Sequence, residues 1–237
     1  NLDSSLALLE KAREENKYGE KDRFIYFLDA GMLNHYAGNY RASNDKLDLA
    51  EAAAEELFTK SISRAAVSLL LNDNALEYAG EDYEILYANL IKALNYAEGG
   101  MFDEAFVEIR RANLKLELLE QKYGDAAAQL QRGLEDDTNR VHIDYAIEKV
   151  RFHNDAFARY LSMRMYAADG KMDDARIDLD YLKTAFETQP HVYDFAMPEV
   201  KYRSDSAAIL SVIGFVGLAP TKEPLRLRIR TDKDLDL

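Results

Sequence analysis

No cysteine occurs among the 237 residues, which excludes disulfides, thiolate metal sites and thiol nucleophiles together. The compartment stays open, because a cytosolic chain and a disulfide-free envelope chain look alike in this respect. Long apolar runs are also missing. The longest, residues 206–220, is broken by Ser211, Gly214 and Gly217 and falls short of the ~20 apolar residues a membrane helix needs. Basic residues are outnumbered, 30 against 43 acidic, and a net charge of −13 repels nucleic-acid phosphates and anionic lipid. Nucleic acid is therefore not an expected partner, and the plain meaning of the charge is a well-solvated surface.

The recurrent signatures of catalysis are missing too. The four histidines, His35, His142, His153 and His191, show no metal-binding spacing. There is no Gly-x-Ser-x-Gly, no phosphate-binding loop and no Gly-x-Gly-x-x-Gly. Acidic pairs at helical spacing, such as Glu51 with Glu55 and Glu117 with Glu120, arise by composition alone when carboxylates are this frequent. No catalytic residue, metal or cofactor is expected. A hydrophobic content of 48% nevertheless fills a sizeable core, and 15 tyrosines with 10 phenylalanines supply inter-helix layers.

What the chain does have is a repeated punctuation. Helical stretches end at Gly38, Gly100 and Gly170, and each glycine is followed two places on by a large apolar residue, Tyr40, Phe102 or Met172. Asp103 and Glu104, and again Asp173 and Asp174, suit a helix N-terminus. A small residue comes next, Ser43, Ala105 or Ala175, and four places later Leu47, Ile109 or Leu179 returns to the same face. Glycine ends the first helix of each pair in the left-handed region, the apolar residue packs down at the turn, and the small residue lets two helices approach. The spacing predicts three helical hairpins, preceded by a helix over residues 2–16 with Leu6, Leu9 and Ala12 on one face.

This pattern resembles the tetratricopeptide repeat. Gly31 and Ala93 meet its small residue seven places before the turn, and Tyr96 and Tyr166 its tyrosine. Met163 and Asn34 depart from it, the terminal proline is missing, and Met163 predicts a looser third pair. The glycines stand 62 and 70 residues apart, against about 34 for a regular repeat. Extra helices are therefore expected between the pairs, at residues 61–71 and 136–152. The expected fold is mainly α: an irregular stack of antiparallel helix pairs over residues 1–198, then a β-containing segment over 199–237 that a chain end at Leu237 would cut short.

The stretches from Met32 to Asn44, Asn72 to Tyr83, Lys92 to Tyr96 and Val107 to Asn113 resemble a family of bacterial, predicted outer-envelope lipoproteins with tetratricopeptide-like domains and no established activity. The likeness covers residues 23–118 well and the rest loosely. It implies a chain facing the periplasm, tethered through a lipidated cysteine upstream of Asn1; a cytoplasmic setting is the alternative. Asn1 in place of methionine fits a trimmed or processed chain.

Two segments are candidate sites. Asn72, Asp73, Asn74, Tyr78, Glu81, Asp82 and Tyr83, with Tyr96, form a candidate partner-binding set, and Asp73, Glu81 and Asp82 suit a cation. The competing meaning is a connecting loop that satisfies its own backbone, since the spacing matches no calcium loop, and a helix over residues 82–98 follows it. Near the C-terminus, Leu225, Leu227 and Ile229 alternate with Arg226, Arg228 and Arg230. Two strands, residues 207–217 and 225–230, joined by a seven-residue loop are expected, with a helix over 205–215 as the alternative. The arginine row would grip an anionic partner or form the solvated face of an edge strand.

The leading functional expectation is a non-enzymatic scaffold binding protein or peptide partners on a helical stack. A carrier of a small apolar or anionic ligand comes second, and an enzyme using unidentified carboxylates third.

Overall fold

The computed structural model describes residues 2–68, 78, 80–136, 154–190, 192–203 and 208–216, with side chains up to residues 57 and 119 in the two longest helices. The chain divides into two compact units, Asn1–Tyr202 and Arg203–Leu237. The described part of the first unit is helical. Helix α1 (Leu2–Glu14) and a turn of 3-10 helix (Glu20–Asp22) precede α2 (Arg23–Tyr36) and α3 (Tyr40–Ser68). Then come α4 (Asp82–Glu98), α5 (Phe102–Asp136), α6 (Ala156–Ala168) and α7 (Met172–Thr188).

Three hairpins, α2–α3, α4–α5 and α6–α7, turn at the three expected glycines. Gly38, Gly100 and Gly170 have φ of 77°, 73° and 76°, the left-handed region that a side chain resists. Ser43, Ala105 and Ala175 are all fully buried, and the Ser43 hydroxyl donates to the Gly31 carbonyl at 2.8 Å. Gly31 is small for a reason: a Cβ there would lie 2.6 Å from Leu47 Cδ2. Met163 is nonetheless fully buried, and α6 and α7 pack along as much of their length as α2 and α3, so the looser third pair is not observed. On α1, Leu9 packs on Tyr26 and Ala30 of α2, with Leu6 and Ala12 half-buried beside it.

Other expectations need correction. Phe102 is 60% exposed and Met172 39%, so neither packs down at its turn. Tyr40, at the same place in the first hairpin, is half-buried near His35. The separate helix over residues 61–71 is not observed as such, because residues 61–68 continue α3 without a break. Likewise α5 runs on to Asp136, while residues 137–153, where another helix was expected, lie outside the described residues. Part of each long interval is taken up by a long second helix of 29 or 35 residues.

In the second unit, residues 208–216 are neither helix nor strand, so the C-terminal β-hairpin is not supported. A strand exists only when its backbone pairs with a neighbour, and β-branched composition cannot supply that pairing. Residues 217–237, with the other expected strand, lie outside the described residues. Among the described residues no helix is long and apolar enough to cross a membrane.

Gly80, at φ 87°, is a harder constraint than the hairpin glycines, since a Cβ there would stand 2.5 Å from the Phe24 ring. Gly100→Ala is expected to cost about 1 kcal/mol in urea unfolding, the penalty of a left-handed residue in open space, and Gly80→Ala distinctly more. Equal losses would show that the Phe24 contact carries no weight.

Candidate functional site

Helix α4 is enclosed along much of its length, with Leu86, Ala88, Leu90, Ile91 and Ala93 all buried. Its 3.6-residue period puts Asn89, Lys92 and Asn95 on a stripe that the sequence alone reads as a polar surface. Enclosure between α3 and α5 buries that stripe instead, and every member is satisfied. Lys92 Nζ is fully buried and reaches Asp48 at 2.8 Å, Glu108 at 3.0 Å, and Glu51. Asn89 donates to Glu108 at 2.6 Å and to Glu51 at 3.1 Å. Lys115 donates to Glu51 and, at 2.6 Å, to Asn89. Arg111 lies 3.3 Å from Glu108. Asn95 donates to Ser43 and Asn44 while its oxygen meets His35 Nδ1 at 2.7 Å.

A smaller layer of the same kind joins α5, α6 and α7. Arg159 bonds Asn154 at 2.9 Å, Asn113 at 3.0 Å and Asp178 at 3.3 Å, and its guanidinium lies 4.4 Å from the Tyr181 ring centre. Ser162 donates to Asp178. The two layers share one register. Lys92 and Ser162 both stand eight residues before a turn glycine, Asn89 and Arg159 eleven before, and Glu108 and Asp178 eight after. Glu51 and Asn113 both stand thirteen after the preceding glycine. The residue types differ, but the positions that meet across each junction are the same. Comparison of positions relative to Gly38, Gly100 and Gly170 was the signal that could have found these residues.

The chemistry of the larger layer is that of a closed ion cluster. Burial alone would raise the Glu51 carboxyl, but Lys115 and then Lys92 override it and hold it at about 2, below the ordinary 4.5. Burial would likewise lower Lys92, yet hydrogen bonds to Asp48 and Glu51 raise it above an ordinary lysine. With three carboxylates around it, Lys92 has no proton to release near neutral pH and no lone pair for nucleophilic attack. Asp178 goes the other way: burial raises it, against the opposing pull of Ser162 and Arg159.

The expected loop site is placed only in part. Asn72, Asp73 and Asn74 lie outside the described residues. Tyr78, Glu81, Asp82 and Tyr83 gather at the start of α4, whereas Tyr96 lies at its far end, about 20 Å along the axis. The Tyr78 hydroxyl donates to Glu84 at 2.7 Å, its backbone N–H donates to the Lys21 carbonyl at 3.1 Å, and its ring packs against Phe24. The Glu81 backbone N–H donates to the same Glu84 carboxylate at 2.8 Å. Burial and then the Glu84 bond raise the Tyr78 pKa, which keeps the phenol protonated. These contacts are those of a loop tied to its own protein. Arg226, Arg228 and Arg230 lie outside the described residues, as do His142, His153 and His191. Among the described residues no group of three or more His, Cys, Asp or Glu side chains could hold a metal ion.

Two shallow clefts lie among the described residues. One is lined by Arg13, Tyr18, Glu20, Arg23, Tyr26 and Phe27, the other by Asp103, Glu104, Phe106, Arg110, Asp169 and Lys171. Both are open to solvent and edged with charge.

The Glu51 shift fixes the sign of an acid titration. A carboxyl depressed in the folded state contributes stability above its unfolded pKa, lost as pH falls through 4.5 towards 2. Glu51→Gln is expected to flatten that part of the stability-against-pH curve and to cost roughly 2–3 kcal/mol at pH 7. Asp178→Asn, removing a raised carboxyl, is expected to change the slope in the opposite sense. Chemical denaturation at a series of pH values reads both, and parallel curves for all three proteins would refute the assignment. Comparison of the chain with protein-family models, with curated proteins and with solved structures found no match in any of the three.

Proposed function

We propose that this chain is a non-enzymatic scaffold of tetratricopeptide-like helix pairs that holds protein or peptide partners. The observation that carries this is the repeated junction: two successive pairs meet through the same positions, counted from their turn glycines, despite different residues there. Repetition of a packing register is how helical arrays build an extended binding surface. The buried carboxylates support the same conclusion, because Glu51 and Glu108 spend their oxygens on Lys92, Lys115, Asn89 and Arg111. The setting we propose is the bacterial envelope, on the periplasmic side and anchored to the outer membrane by an N-terminal lipid; it rests on the family resemblance of residues 23–118.

In-cell crosslinking of the full-length protein followed by mass spectrometry tests both parts. Envelope proteins are expected among the crosslinked species, with crosslinks on the helical unit. Recovery of no protein partner would overturn the scaffold, and recovery of cytosolic partners alone would overturn the setting.

A further inference from the structure

Each helix pair presents a stacking face built from one set of positions. Fourteen and ten residues before the turn glycine, and nine, twelve and sixteen after it, stand Phe24, Leu28, Leu47, Ala50 and Ala54 in the first pair. In the second pair they are Leu86, Leu90, Ile109, Ala112 and Leu116, which belong to one core cluster. In the third they are Ala156, Tyr160, Leu179, Leu182 and Phe186. The first face is covered by Tyr78 and by Ile85, Ala88 and Ile91 from α4, and the second by Ala158 and Leu161 from α6. The incoming helices share a signature: alanine (Ala88, Ala158), a branched aliphatic three places on (Ile91, Leu161), then a polar residue (Lys92, Ser162).

Among the described residues no helix covers the third face. An irregular strap does, laying Tyr193, Met197 and Val200 on the Ala156–Leu182–Ala185 cluster. Tyr193 stacks on Phe186 at 4.7 Å, and its hydroxyl oxygen accepts the Ala156 N–H at 2.9 Å. Six residues before the glycine, where the other faces carry Met32 and Leu94, stands Arg164, which donates to the Lys201 and Tyr202 carbonyls at 3.3 and 3.4 Å. The strap therefore runs in the same direction as α6, and its carbonyls fill the place that the C-terminal carbonyls of a parallel helix would take. Between these anchors Asp194, Phe195, Ala196, Pro198 and Glu199 are exposed.

We propose that the α6–α7 face is a helix-docking site closed by a displaceable strap, residues 192–202, and that its ligand is an amphipathic helix from a protein partner. The charge of that helix follows from the register. Thirteen residues after the glycine, where Glu51 meets Lys92 and Asn113 meets Ser162, the third pair has Lys183, half-exposed and 3.0 Å from Asp180. The fitting helix carries alanine, a branched aliphatic three places on, and next to it an acidic residue facing Lys183. Its C-terminal carbonyls replace those of the strap at Arg164, which suits the negative end of a helix. This site rests on the scaffold reading and gives it a partner class.

The probe is a synthetic peptide of residues 82–98, the helix that covers the first face, carrying Lys92→Glu. Because the chain has no cysteine, Met197→Cys supplies one thiol as a strap reporter, and Val200→Cys a second should the first not fold. The thiol is expected to be alkylated at least about tenfold more slowly than a free cysteine, and saturating peptide is expected to remove that protection. By fluorescence anisotropy the Lys92→Glu peptide is expected to bind about tenfold more tightly than the unaltered one, and Lys183→Glu in the protein to reverse that order. Peptide that fails to bind the folded protein, binds without deprotecting the thiol, or keeps its order of affinity in Lys183→Glu overturns the docking site. Those outcomes leave the scaffold standing if crosslinking finds partners elsewhere, whereas failed crosslinking with successful peptide binding overturns the scaffold and leaves the docking face.

Discussion

The helical unit depends on one requirement, the neutralisation of an ammonium group that has lost all contact with water. Lys92 sits where α3, α4 and α5 meet, and an unpaired charge there would cost several kcal/mol. Three carboxylates from the two flanking helices surround it, and two of them, Glu51 and Glu108, are themselves nearly buried. Lys115 and Arg111 then balance the surplus negative charge. Such a cluster adds less stability than an apolar core of equal volume, but it tolerates no slippage. A shift of α3 by one residue against α4 would carry Asp48 and Glu51 away from Lys92 and leave it with Glu108 alone of its three carboxylates.

The same junction explains why α4 combines apolar residues with a buried polar stripe. Ile91 and Ala88 pack on Leu47, whereas Asn89, Lys92 and Asn95 turn towards hydrogen-bonding groups on α3 and α5. Apolar contact supplies the driving force and the polar stripe fixes the register. The junction with the third pair uses a milder version, in which Arg159 is shared by Asn154, Asn113 and Asp178.

Much of the fold was legible because glycine is a local signal. A left-handed residue in open space needs no tertiary information, and Gly38, Gly100 and Gly170 marked three hairpins without error. The bounds of α4 were legible for a related reason, since Gly80 and the acidic pair Glu81 and Asp82 precede its apolar rhythm. The long second helices were misjudged because helix length is set by what the helix packs against and not by the repeat that its first turn resembles. The chain passes Gly124 and Gly133 inside α5 without stopping. The polar layers were invisible for a different reason: Glu51, Lys92 and Glu108 are far apart in sequence, and each alone reads as a solvated helix surface. The expected strand over residues 207–217 is not supported for a similar reason, since residues 208–216 form no strand and composition alone does not supply the pairing that a strand needs.

The hairpin glycines also divide the unit into two rims with unequal freedom. On one rim each pair closes through a tight turn, and the buried layers are counted in residues from that turn. A single added residue there would rotate the second helix by about 100° and carry Glu108 or Asp178 off its partner. On the other rim the pairs are joined by the longer segments between α3 and α4 and between α5 and α6. Chain added there leaves every register counted from the turn glycines unchanged. An insertion at a turn therefore misaligns a buried layer, whereas one on the opposite rim leaves the count that aligns it intact.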